Sequence, residues 1–245
     1  GEIDFDRDKV DKNYDILCYL RDFQLPDKGS KLLRFLTAHD ERVRFAVTEV
    51  ILAQNAPELL MRIDDAAQAQ NMLIADILDV ARIEQGRLEY TMKNFDPAPV
   101  LKLVAEGLTP AASAKGLSIS VDVPSGVMIS ADENRLRQVV TNFVSNAVKY
   151  SDKGTITITG KTVGKNFQIR VSDTGIGMSA EDVKKLFGKF YRVAGDRVRN
   201  EVGTGLGLWI TKQIVEAMKG TISVESIQGV GSHFIVTLPL ASPKI

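Results

Sequence analysis

The sequence predicts an α+β protein in two parts: a helical hairpin forming a dimeric four-helix bundle, then an α/β sandwich with helices on one face of a mostly antiparallel sheet. Three observations predict it. Residues 1–92 hold only three glycines (Gly1, Gly29, Gly86) and two prolines (Pro26, Pro57), whereas glycine is frequent after Pro97. Apolar residues recur at helical spacing through the first part. Two-residue alternation begins only in the second. The shift sets a boundary at Asn94-Phe95-Asp96-Pro97 and three segments: 1–30, an N-terminal helix or linker of unknown role; 31–92, the hairpin; and 95–245, the sandwich.

Arg7 to about Phe23 reads as an amphipathic helix closed by Pro26, and Ser30 is placed to cap the next helix. From Lys31 to Gln54, Leu32, Phe35, Leu36, Val43, Ala46, Val47, Val50 and Ile51 form a helical stripe. Asn55-Ala56-Pro57 is expected to be a short turn, with Pro57 opening a second helix from Glu58 to about Tyr90. Its seam runs through Leu59, Ile63, Ala66, Leu73, Ile77, Val80 and Ile83. Long helices joined so tightly are antiparallel neighbours, and alone they leave an apolar stripe uncovered. A second copy covers it in the favoured reading, and residues 1–25 cover it within a monomer in the other.

In the second part, Leu117–Val123 alternates as a half-buried strand does. Asp132–Tyr150 is helical, with Leu136, Val139, Val140, Phe143, Val144 and Ala147 on one face. Thr155–Thr162 and Asn166–Ser172 read as strands joined through Gly164-Lys165. Ala180–Phe187 is a short helix and Thr204–Met218 a longer one. Thr221–Glu225 and His233–Leu238 close the sheet as a hairpin.

Composition narrows the function. Lys plus Arg and Asp plus Glu both total 31, so the formal net charge is zero and no electrostatic footprint for nucleic acid or an anionic membrane exists. Cys18 is the single cysteine and fits a reducing compartment. With only His39 and His233 besides it, a structural zinc site is not expected, and any metal is expected to be a hard ion held by oxygen. No apolar run reaches the roughly 18 residues of a membrane span, and the N-terminus lacks a signal-peptide pattern. The chain is expected to be cytoplasmic, whether whole or as the cytoplasmic fragment of a larger or membrane-anchored protein.

Four segments carry candidate chemistry. Asn142, Asn146 and Lys149 share one helix face, where an amide oxygen can ligate Mg2+ and a lysine can meet phosphate; three solvent-facing polar residues would look the same. Asp173-Thr174-Gly175-Ile176-Gly177 follows a strand, where a carboxylate can accept an exocyclic amine and glycines allow close packing on a flat ring; a plain glycine-rich turn is the other reading. Gly203-Thr204-Gly205-Leu206-Gly207 opens a helix with bare backbone N–H groups suited to phosphate. Its spacing differs from the dinucleotide-fold glycine motif. Gly229-Val230-Gly231 is a tight turn between late strands, and by itself reads best as a hairpin.

In this order the four segments resemble the N, G1, G2 and G3 boxes of the GHKL (Bergerat) ATPase/kinase superfamily. Leu186-Phe187-Gly188-Lys189-Phe190-Tyr191-Arg192 resembles the F box of sensor histidine kinases, and Asp79-Val80-Ala81-Arg82-Ile83-Glu84-Gln85-Gly86 resembles the end of their second dimerisation helix. The resemblance covers roughly Glu58 to Leu240 and implies ATP and Mg2+ as cofactors. It implies that Asn146 is the metal ligand, that Asn142 and Lys149 contact phosphates, and that Tyr150 lies beside adenine. It implies that Asp173 reads adenine with Gly175 and Gly177 beside it, and that Gly203, Thr204, Gly205, Leu206 and Gly207 hold the phosphates. Phe190 joins the nucleotide site, and about Val193 to Val202 corresponds to an ATP lid from which Arg199, or the preceding Arg192, reaches the γ-phosphate. ATP-hydrolysing relatives carry a glutamate where this chain has Asn142, which cannot act as a base; the chain thus resembles enzymes that pass phosphate to a stronger nucleophile.

The family's acceptor histidine matches His39 in Ala38-His39-Asp40-Glu41-Arg42-Val43-Arg44. Asp40 would hold the imidazole and take its proton. Two positions depart from the family: Arg44 stands in place of a proline, and Val43 in place of the Thr or Asn tied to phosphatase action. A straighter helix at His39 and weak phosphatase activity are expected. His233 is read as structural. The whole reads as a homodimeric protein histidine kinase that phosphorylates His39 and passes the phosphate to a response-regulator receiver domain. The alternatives are a degenerate scaffold that binds ATP or ADP without phosphotransfer, and an ATPase clamp, which Asn142 and the F box disfavour.

Overall fold

A computed structural model describes residues 41–193 and 204–242. The chain divides into two units, 1–72 and 73–245. Helix α1 (Glu41–Glu84) is a single uninterrupted helix of 44 residues that crosses the division. The turn expected at Asn55-Ala56-Pro57 is therefore corrected to helix. Proline's fixed φ near −65° is itself helical, so Pro57 removes one backbone donor without dictating a reversal. In the first unit Ala46, Val47 and Val50 are buried on one face of α1, while Phe45 and Leu52 are exposed. Residues 1–30, and the expected helix before residue 41, lie outside the described residues.

The helix also ends earlier than Tyr90. Gly86 adopts φ +62, which glycine enters without steric cost. Arg87 N–H then donates to the Arg82 carbonyl at 2.8 Å and Gly86 N–H to Ile83 at 3.0 Å, so the last carbonyls are satisfied and the helix stops.

The second unit is the expected sandwich. Strands β2 (Leu117–Asp122), β4 (Gly154–Val163), β5 (Asn166–Asp173), β6 (Thr221–Ile227) and β7 (Gly231–Pro239) form one sheet in the order β2-β4-β5-β7-β6. Only the β2–β4 pair is parallel. Strands β1 (Lys93–Phe95) and β3 (Ile129–Ala131) pair separately and antiparallel. Helices α2 (Pro97–Ala114), α3 (Glu133–Tyr150) and α5 (Gly207–Ala217) contribute to one core with the sheet's inner face, and α4 (Ala180–Lys185) is a single short turn of helix.

Alternation sorts the two faces of the sheet. Ile156, Ile158, Phe167, Ile169, Val171, Phe234, Val236 and Leu238 point inward and are buried. They meet Leu136, Val139, Val140, Phe143, Val144 and Ala147 of α3, the face read from the sequence. Phe143 stacks on Phe234 with ring centroids 5.0 Å apart. The outer face is polar: Ser118 bonds Thr155 at 2.8 Å, Ser120 bonds Thr157, and Arg170 pairs with Glu225 at 3.1 Å.

Helix α2 and strands β1 and β3 were not anticipated. In α2 the prolines fall where they cost least. Asp96 caps the helix by accepting the Ala98 N–H at 2.9 Å, and Pro97 and Pro99 occupy a first turn whose N–H groups have no helical partner anyway. Helix α3 starts at Glu133 because Asp132 is its cap, accepting the Arg135 N–H at 3.0 Å. Lys115, just past α2, donates to the Val148 and Lys149 carbonyls at the far end of α3, matching its charge to that helix's negative pole.

Candidate functional site

The polar face of α3 presents Asn142, Asn146 and Lys149. The Asn146 amide N–H points to Asn142 Oδ1 at 3.5 Å, which turns the Asn146 oxygen the other way. The Asn142 amide donates to Thr211 Oγ1 on α5 at 2.9 Å, and that hydroxyl donates to the Gly207 carbonyl at 2.8 Å. The chain Asn142–Thr211–Gly207 thus ties α3 to the first turn of α5. Lys149 Nζ lies 5.4 Å from the centroid of the Tyr150 ring.

Asp173 ends β5 and is buried. Its Oδ1 accepts the Gly175 N–H at 2.8 Å and the Ser232 N–H at 3.2 Å. Both bonds converge on one oxygen, which leaves Oδ2 to meet a donor. Burial raises the carboxyl above its ordinary value; the two N–H donors and the neighbouring His233 pull it part of the way back. A Cβ on Gly175 would stand 2.9 Å from both Asp173 Oδ1 and Ser151 Oγ, so only glycine leaves that slot open. Ser151 Oγ is buried there with no hydrogen-bond partner. Gly177, at φ +59, sits against the Ile227 carbonyl, and Gly229 N–H donates to Ile176 at 2.7 Å. The glycine turn after β5 and the β6–β7 turn therefore interlock through their backbones.

At the start of α5, Leu206 caps the helix without a side-chain hydrogen bond. Gly205 has φ +70 and packs on the Phe190 backbone, where a Cβ would come within 2.7 Å of the Phe190 carbonyl carbon. Phe190 itself holds φ +60, unusual for a residue with a side chain, and the residue is 70% exposed. Tyr191 donates to Asp182 on α4 at 2.7 Å, anchoring the same stretch. Arg192 follows, exposed to solvent.

Acidic residues from the end of α1 reach this region. Thr204 Oγ1 donates to Asp76 Oδ2 at 2.8 Å, and Asp79 accepts from Gln138 at 2.9 Å and from Arg135 at 3.4 Å. Glu84 pairs with Lys189, whose ammonium lies 4.4 Å over the Trp209 ring. Burial raises the Asp76 carboxyl, Thr204 lowers it and Asp79 raises it further.

The structure thus brings Asn142, Asn146, Lys149 and Tyr150 along one helix. It sets Asp173, Gly175 and Gly177 at its C-terminal end, since Ile176 N–H donates to the Tyr150 carbonyl at 3.1 Å. Thr204, Gly205, Leu206 and Gly207 are joined to Asn142 through Thr211. His39, Asp40, Arg199 and Gly203 lie outside the described residues. His233 faces Ser172 and Glu225 in the sheet, with Nδ1 lacking a hydrogen-bond partner. Sequence reasoning missed Asp76, Ser151 and Thr211. Thr211 lies four residues after Gly207, a helical spacing that is its only local signal.

Residues 131–242 match the family described as histidine kinase-, DNA gyrase B-, and HSP90-like ATPase. Over 193 residues, 77% of this chain, the sequence is 36% identical to the sensor histidine kinase RcsC of Escherichia coli K12, covering 20% of that protein. It is 38% identical over 196 residues to the sensor protein GacS of Pseudomonas syringae pv. syringae, covering 76% of this chain and 21% of that one. The chain therefore spans about a fifth of the length of these relatives. Among solved structures, full-length ShkA in complex with AMPPNP superposes with a TM-score of 0.63 at 29% identity, over 94% of this chain and 47% of that one. Acinetobacter baumannii histidine kinase AdeS shares the fold at a TM-score of 0.59 and 21% identity, over 96% and 98% of the two chains. Residues 131–242 thus form a domain of the histidine kinase-, DNA gyrase B-, and HSP90-like ATPase type, and homology to sensor histidine kinases extends over about three quarters of the chain.

Proposed function

We propose that the chain is the dimerisation and catalytic part of a sensor histidine kinase, which binds ATP with Mg2+, phosphorylates His39 and passes the phosphate to an aspartate of a response-regulator receiver. The observation that carries this reading is the linkage of three local sites to one another: the amide face of α3, the glycine turn beside the buried Asp173 bonded to the end of α3 through Ile176 and Tyr150, and the glycine-led start of α5 joined to Asn142 through Thr211.

Each group has a role that its chemistry supports. Asp173 Oδ2 accepts the adenine amine, and the bare Gly175 lets the ring lie close. The N–H groups at the head of α5 and Lys149 meet the phosphates. The Asn146 oxygen, turned away from Asn142, fits a hard cation. Mg2+, when bound, neutralises charge on the transferring phosphoryl group. Asn142 has no basic lone pair with which to activate water, so the acceptor is a better nucleophile. A ring nitrogen of His39 would form the new bond to the γ-phosphorus while the bond from that phosphorus to the β–γ bridging oxygen breaks and ADP leaves; Asp40 would take the proton from the ring's other nitrogen. Arg192 and Arg199 are the candidates to offset charge on the γ-phosphate.

No helix among the described residues is long and apolar enough to cross a membrane, and a cytoplasmic setting supplies the ATP that this reading needs. Leu73, Ile74, Ile77 and Leu78 of α1 are 41–56% exposed, an apolar stripe that supports pairing with a second copy. Light scattering should report a dimer. Incubation with γ-labelled ATP should give an acid-labile, base-stable adduct that His39→Ala abolishes. A folded, ATP-binding chain that takes up no label would favour the second reading, a nucleotide-binding scaffold, which Val43 and Arg44 beside His39 motivate.

A further inference from the structure

Thr204 stands at the head of the turn that leads into α5, and its hydroxyl is used twice. The oxygen accepts the Leu206 N–H at 3.1 Å, and the proton goes to Asp76 Oδ2 at 2.8 Å. A hydroxyl has one proton to donate. While Asp76 holds it, Thr204 has none for a phosphate oxygen, and the Leu206 amide, one of the free donors before α5, is turned inward as well. Asp76 also places a carboxylate beside the turn, with Asp79 one helical turn further along α1. Two more contacts fasten the same stretch of α1: Asp79 to Arg135 and Gln138, and Glu84 to Lys189.

We infer that Asp76 is an internal competitor of the nucleotide's phosphates, holding the Thr204 hydroxyl, to which the Leu206 amide donates in turn, until the phosphate displaces it. The inference rests on the ATP-binding reading of this site. Its consequence is linkage: whatever affinity ATP loses to the Asp76 contact, the docking of α1 on the turn loses when ATP binds. The β- and γ-phosphates are the recognised chemistry, so adenosine, which lacks them, should not feel the competition.

The test is equilibrium binding of ATP with Mg2+, and of adenosine, to the full chain. The variants are Asp76→Ala, Asp76→Asn, Thr204→Val and the Asp76→Ala/Thr204→Val pair. Asp76→Ala should bind ATP roughly three- to thirtyfold tighter, the range expected when a charged hydrogen-bond competitor is removed. Its adenosine affinity should be unmoved. Asp76→Asn keeps an acceptor without the charge and should gain less, and it carries the test if the alanine variant does not fold. In the Thr204→Val background the gain should vanish. Unchanged or weaker ATP binding by a folded Asp76 variant overturns the inference and leaves the site standing, as does equal tightening of adenosine or a gain that persists without the Thr204 hydroxyl. A folded wild-type chain that binds neither ligand overturns the ATP-binding reading and the inference with it.

Discussion

The Asn142 amide and the Thr211 hydroxyl are joined by a 2.9 Å hydrogen bond between two helices 69 positions apart in sequence. Thr211 is 2% exposed, so water does not readily reach its hydroxyl. Through this bond the helix that presents the amide face also sets the position of α5, whose N-terminus is proposed to meet the phosphates. Thr211→Val keeps the shape and deletes the hydroxyl. It should lower stability by about 1–3 kcal/mol in urea unfolding and weaken ATP binding, because Asn142 loses its acceptor.

Asp173 gives a pH-dependent prediction. Burial raises its folded-state value above the unfolded one, so the folded chain binds the proton more tightly. The stability this group contributes is fully present below the unfolded value and is lost as pH rises through the raised folded one. Asp173→Asn removes that dependence while its oxygen still accepts from Gly175 and Ser232. The variant should match or exceed wild-type stability at neutral pH, with the advantage shrinking as pH falls. Its amide presents a donor to the adenine amine, and ATP affinity should drop by about a hundredfold. Melting curves across pH together with nucleotide titration read both effects.

Gly205→Ala should be severe. The backbone there has φ +70, and the new methyl would meet the Phe190 backbone, which cannot rotate out of the way. A loss of about 2 kcal/mol or more is expected from the left-handed backbone and the contact together. Gly207→Ala is the comparison. Its Cβ would lie 3.0 Å from Asn142 Oδ1, a side-chain atom, so it should cost less stability while weakening ATP. Denaturant midpoints measured alongside ATP affinity separate the two.

Lys219 closes α5 at φ +60, a role glycine fills in most helices. Gly220 N–H donates to the Val215 carbonyl and Lys219 N–H to Glu216, both at 2.9 Å, so the termination motif is intact and only the residue is strained. Lys219→Gly should raise stability by about 1 kcal/mol, read as a higher melting temperature with ATP affinity unchanged.

The features legible in the sequence divide from the hidden ones on physical grounds. Helix α3 was legible because Leu136, Val139, Phe143 and Ala147 repeat over about three turns, β5 because its alternation is unbroken, and β4 and β7 because alternation runs through part of each. Asp173 and the glycines beside it were legible because a close backbone approach restricts the residue locally. Helix α2 was hidden by Pro99, Gly107 and Pro110, residues that break most helices but here sit in a first turn or on an exposed side. Strands of three residues such as β1 and β3 have no period to detect and exist through their pairing partner. The turn at Pro57 failed because proline at a helical φ is compatible with either outcome. Asp76 was invisible as a site residue, since its partner Thr204 lies 128 positions away.

The pairing around β3 bears on how the second unit can be cut and rejoined. Ile129 pairs with Phe95 on one side and bridges to Leu240 on the other, and Ala241 N–H donates to Met128 at 2.8 Å. Two strand spacings therefore separate the entering and leaving chain, about 10 Å. A linker of a few residues would span that distance, so the sandwich that follows α1 is suited to circular permutation: the chain near Phe95 and Leu240 can be joined and the backbone reopened at the exposed Gly164-Lys165 turn, leaving Asp173, α3 and the head of α5 in the same places.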